Sequence, residues 1–145
     1  MRPRGSAILA TVCVFGLFAA GDAAAATTIR VGLQDSKRGM HMTTSRPSAP
    51  AGEITFQVVN ESKSREHEMV VVKTDARSAA ALPYEAGADE VDLSKLQTLG
   101  KVEDLEPGQS GTVRVDLRPG NYILLCNEPG HAHQGMWARF TVTGH

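Results

Sequence analysis

A chain of 145 residues, 41% hydrophobic, holds enough apolar material for one domain around one core. Its charge is nearly balanced, 15 basic residues against 16 acidic ones. No block of Lys and Arg stands out, so nothing points to nucleic acid or to an anionic membrane surface. The N-terminus carries Arg2 and Arg4, then an apolar run over residues 7–20, then Gly21, Asp22 and four alanines. A basic start, a short apolar centre and an A-x-A-like end predict a secretory signal peptide over residues 1–26. The run is short of the roughly 20 residues that cross a bilayer, so no stable membrane insertion is expected after cleavage. The expected remainder is a periplasmic domain, residues 27–145, with 13 basic and 15 acidic residues. Cleavage removes Cys13 and leaves Cys126 alone. An odd cysteine in an oxidising compartment points to intermolecular pairing, a reactive thiol or a metal ligand.

The remainder reads as strands. Residues 28–34 alternate through Ile29, Val31 and Leu33, and 40–45 form a weaker candidate containing Met40, His41 and Met42. Residues 47–52 read as a turn, 53–59 alternate through Ile54, Phe56 and Val58, and 60–66 form a polar loop. Further strands are expected over 67–73, 101–105, 112–117, 122–126 and 136–142, separated by Pro-Gly turns. Short alternating strands between such turns predict an all-β sandwich or barrel. Residues 74–100 break the rhythm: a helix-forming stretch at 76–82 stops at Pro83, an acidic stretch follows, and 94–99 suit one helical turn. They predict an excursion with a short helix. Asp89, Glu90 and Asp92 lack the glycine and spacing of a calcium loop, so a solvated surface is expected there.

The chemistry concentrates in residues 122–140, YILLCNEPGHAHQGMWARF. An apolar strand ends on Cys126, the chain turns through Pro129-Gly130, and His131, His133 and Met136 follow. Thiolate and thioether suit copper, and two histidines, one cysteine and a distant methionine make a blue-copper set. The second imidazole must come from elsewhere. If successive strands alternate in direction, the start of the 67–73 strand and the end of the 122–126 strand share one pole. His67 and Cys126 then meet, Met40 and His41 lie at the same pole, and the excursion leaves from and returns to the opposite one. The amides of Asn127 and Glu128 are candidate donors to the sulfur, and Glu68 is a candidate to order the loop through hydrogen bonds.

His67 followed by Cys126-x4-His131-x4-Met136 resembles the ligand set of the cupredoxins, the small blue copper proteins. The segment from Cys126 to His131 is similar to the C-x-x-P-G-H loop of azurins. The step on to Met136 is more like that of rusticyanins, sulfocyanins and auracyanins. The resemblance implies a Greek-key β-sandwich or barrel holding one copper ion. It implies His67, Cys126 and His131 as in-plane ligands and Met136 as the weak axial one. His133 is the competing imidazole, disfavoured because Pro-Gly-His131 reproduces the family loop. The implied function is a monomeric periplasmic electron carrier exchanging single electrons with redox partner proteins. The rival is a copper-handling or copper-tolerance protein serving copper donors and acceptors, suggested by Met40-His41-Met42. No enzyme activity is expected. Leu125 and Asn127 flank Cys126, where multicopper enzymes carry a histidine that relays electrons to a second copper. A Cys–His hydrolase would need an oriented base and an oxyanion site.

Overall fold

The structure is a computed structural model that describes residues 26–37 and 39–144. The expected signal segment, including Cys13, lies outside the described residues apart from Ala26, and so does His145. The strands are β1 (Thr27–Ser36), β2 (Gly39–Thr44), β3 (Ser48–Pro50), β4 (Gly52–Asn60), β5 (His67–Lys73) and β6 (Tyr84–Glu85). They continue with β7 (Glu90–Val91), β8 (Gln97–Leu105), β9 (Ser110–Leu117), β10 (Gly120–Leu125) and β11 (Trp137–Thr143). One sheet has the order β2-β1-β4-β9 and the other β3-β11-β10-β5-β8, with β6 and β7 forming a separate hairpin.

Period-two alternation places the core between the sheets. Ile29, Val31 and Leu33 of β1 and Ile54, Phe56 and Val58 of β4 are buried. They share one cluster with Met69, Val71, Tyr122, Leu124, Phe140 and Val142 of the other sheet. Phe56 and Phe140 meet edge to face across the layers, with centroids 5.4 Å apart. Along one side the layers close where β8 approaches β9. A Cβ on Gly111 would stand 2.3 Å from Val102 Cγ1, so only glycine fits there.

The all-β expectation holds, with three corrections. The expected turn at 47–52 contains β3, a short edge strand parallel to β11. The chain leaves β2, crosses to the second sheet and continues as β3, and β4 then lies parallel to β1. Second, β8 begins at Gln97 rather than near 101 and pairs with β5 from Lys73↔Gln97 to His67↔Leu105. Third, in place of a helix the excursion holds two short 3-10 turns, Ala79–Ala81 and Leu93–Lys95, and the hairpin of β6 and β7. Pro83 stops the first before a full helical turn can propagate.

The excursion covers the outer face of the second sheet. Ala79, Leu82 and Val91 pack on Val70 and Val72 of β5 and on Ile123 and Leu125 of β10. Both faces of these strands are therefore buried, which explains their unbroken apolar runs. The excursion does leave and return at the end remote from His67. Its middle, however, crosses back to the pole that carries Cys126.

Candidate metal centre

β5 opens on His67, and Cys126 directly follows β10, two neighbouring antiparallel strands. The loop between Cys126 and Met136 is closed on itself by backbone hydrogen bonds. His131 N donates to Glu128 O (2.9 Å), Gln134 N to Gly130 O (3.0 Å) and Met136 N to His131 O (3.0 Å). Cys126 N donates to Met136 O (3.0 Å), so the two ends of the loop are tied together. Gly130, at φ +76°, makes the turn that sends His131 back toward the cysteine.

Three donor atoms converge as a result. His67 Nδ1 and His131 Nδ1 are 3.2 Å apart, and Cys126 Sγ lies 3.4 Å from His131 Nδ1 and 3.9 Å from His67 Nδ1. All three residues are buried. Atoms bound in one plane at roughly 2.0–2.3 Å from a common ion would stand about 3.5–3.7 Å apart, so the triangle fits one metal ion. A copper ion suits this donor set of one sulfur and two imidazoles. Among the described residues none hydrogen-bonds the buried His67 Nε2, and an orphan of this kind costs on the order of 1–3 kcal/mol.

Met136 is fully buried in the same cluster as Cys126. His133 stays outside, exposed and stacked on Tyr84 at 4.0 Å between centroids. The loop thus brings His131 to the cysteine and turns His133 to the surface. Met40 N donates to Gln134 O (3.2 Å), which places the start of β2 against the loop as strand direction predicts. Met40 and Met42 are buried in the core while His41, between them, is exposed. Alternation along β2 thus sets His41 on the face opposite the two methionines.

Burial sets the protonation of the site. It pushes the Cys126 thiol up to about 12, against the pull of the Glu68 and Glu128 amides. Burial, with the His131 charge second, holds His67 down to about 4, and burial lowers His131 as well. Without a cation the three groups are neutral. A bound metal reverses the balance at sulfur, because a coordinating thiol gives up its proton.

The hydrogen bonds to the loop follow the sequence expectation except at Asn127: the Glu128 amide acts on the sulfur and Glu68 bonds the loop. Glu68 N donates to Cys126 Sγ at 3.4 Å. The Asn127 amide donates instead to Glu68 Oε1 (3.1 Å), so the Glu68 carboxylate orders the loop. Asn60 had not stood out in the sequence. Its buried side chain donates to Arg65 O (2.8 Å) and Leu105 O (2.7 Å) and accepts from Ser62 N (2.9 Å). It pins the loop that leads into His67. The signal available was an Asn at a strand end before a polar loop, where such side chains bond their own backbone.

The sulfocyanin (SoxE) domain family matches this chain over residues 48–145. Dithionite-reduced auracyanin from Roseiflexus castenholzii is 25% identical, with a TM-score of 0.61 over 82% of this chain and 98% of that one. Auracyanin A, a "blue" copper protein from Chloroflexus aurantiacus, is 18% identical, with a TM-score of 0.57 over 81% and 98%. Rusticyanin from Thiobacillus ferrooxidans shares the fold at 15% identity, with a TM-score of 0.56 over 82% and 79%. No curated protein sequence matches significantly. With most of its length matched by one family and a histidine–cysteine–histidine triangle at one pole of its sandwich, the chain belongs to the sulfocyanin (SoxE) family of cupredoxins, the blue copper proteins.

Proposed function

We propose that His67, Cys126 and His131, with Met136, would hold one copper ion. The protein carries single electrons between larger redox partners in the periplasm. The observation that carries this reading is the buried triangle with 3.2–3.9 Å edges. Bound copper supplies a one-electron exchange between Cu(II) and Cu(I). The chain supplies the rest. β5 and β10 fix two ligands, the self-closed loop fixes His131 and Met136, and the surrounding core excludes water. Ligands held this firmly move little between oxidation states. The Glu68 amide at the sulfur is placed to tune the potential. Export rests on the basic-apolar-alanine pattern of residues 1–26.

The copper-handling alternative has less support. Its segment, Met40-His41-Met42, turns both sulfurs into the core and the imidazole outward. Thiol catalysis also has little support, because Cys126 is fully buried and its thiol is pushed up to about 12. The test is to add Cu(II) to the purified protein and record the visible spectrum. An intense thiolate-to-copper band is expected, abolished by Cys126→Ser and altered by Met136→Leu. A colourless one-to-one complex would overturn the assignment.

A further inference from the structure

The loop that carries three of the four proposed ligands is held from outside by the excursion, through contacts that no ligand makes. The hairpin of β6 and β7 pairs Tyr84 with Val91 and Glu85 with Glu90. Asn127, the residue after Cys126, joins its edge as if it were a further strand. Its Oδ1 accepts from Val91 N (2.9 Å) and its Nδ2 donates to Val91 O (3.1 Å). Gly130 N donates to Asp89 O at 2.7 Å. Asp89 reaches that position at φ +59°, a conformation that costs a non-glycine residue. A side chain on Gly130 would strike it, since a Cβ there would stand 2.9 Å from Asp89 Oδ2. Tyr84 stacks on His133, and Ala132 packs in the cluster that contains Val91 and Leu82. Hydrogen bonds, a ring stack and apolar packing thus meet the loop at Asn127, Gly130, Ala132 and His133, on either side of His131.

We infer that residues 84–91 form a strap that holds the loop from Cys126 to Met136 in its metal-binding shape before an ion arrives. Asn127 is the positioning residue through which the strap acts. This rests on the reading of the triangle as a copper site. A loop left free would have to be ordered each time copper bound, and that ordering would weaken retention. The strap sets the order in advance, because its own seat is the apolar outer face of β5 and β10.

The test compares Asn127→Ala and Tyr84→Ala with Asn121→Ala. Asn121 bonds Asp75 at the far end of the same excursion (3.0 Å), away from the loop. In the metal-free protein, hydrogen exchange at the Gly130 amide is expected to quicken about tenfold in the first two variants, the size set by losing one or two hydrogen bonds in Asn127→Ala and the ring stack in Tyr84→Ala. In the copper-loaded protein, release of copper to a chelator is expected to quicken by a similar factor. Asn121→Ala should leave both rates at the parent values. Should Asn127→Ala fail to fold, Tyr84→Ala, altered only at a partly exposed stack, decides the matter alone. Parent-like Gly130 exchange in the variants would overturn the strap, and so would equally fast copper loss from Asn121→Ala. If the parent shows no thiolate–copper band, the site assignment falls while the exchange comparison still judges the strap.

Discussion

Cys126 and His67 sit in a place that favours neither of their charged forms. Burial pushes the thiol up and the imidazole down, so the metal-free triangle stays neutral and avoids two imidazolium ions 3.2 Å apart. Glu68 beside them is pushed the other way for an acid, up to about 7 from 4.5, by burial and then by Glu128. These shifts have opposite consequences for stability. His67 protonates below 6.5 when unfolded but only near 4 when folded, so its contribution is complete above 6.5 and is lost as pH falls toward 4. His131, also lowered, acts in the same direction. Folded Glu68 keeps its proton up to about 7, so its contribution is complete below 4.5 and is lost as pH rises through 7. Each of the His67 and Glu68 effects is on the order of 3 kcal/mol, and between pH 5 and 7 they offset one another. Glu68→Gln removes one side. The metal-free variant should lose more stability than the parent between pH 7 and pH 5, by on the order of 2 kcal/mol in urea unfolding. Equal losses would show that Glu68 does not hold a proton in the fold.

Among the strands, β4 and β11 join the layers through Phe56 and Phe140, and β11 starts one residue after Met136. This packing keeps the end of the ligand loop level with β5 and β10, where the other ligands sit. Phe56→Ala would leave a cavity between the sheets and should cost about 3–5 kcal/mol, read from the denaturant midpoint. Gln57→Ala on the exposed side of the same strand should stay within about 0.5 kcal/mol. A similar cost at both positions would mean that the interlayer contact contributes little.

Taken as a whole, the molecule draws its donor atoms together through contacts of the fold itself. The core spans both sheets, and the loop closes through its own backbone hydrogen bonds. The metal-free protein is therefore expected to unfold in one cooperative transition. Copper should raise the midpoint by mass action, by about 2.7 kcal/mol when free copper is a hundredfold above its dissociation constant. Beyond one equivalent the gain should follow only the logarithm of free copper, about 1.4 kcal/mol per tenfold, as a single site requires. A steeper dependence, lost in His41→Ala, would revive the copper-handling alternative.

Alternation through Ile29, Val31 and Leu33 and through Ile54, Phe56 and Val58 announced the inward faces of β1 and β4, because side-chain direction along a strand is a local property. The spacing from Cys126 to Met136 was equally local, and counting strand directions brought His67 to the same pole. Contacts between distant segments decided the rest. Which strands lie parallel, and that β3 exists at all, depends on pairing partners that local periodicity does not name. Val70, Val72, Ile123 and Leu125 showed only that both faces of their strands are apolar, not that the excursion covers the outer one. Asn127 turns its side chain toward Val91, 36 residues away, and gives its amide to Glu68, 59 residues away. A hydrogen bond of that kind exists only once the layers have packed, since burial removes water as the competing partner.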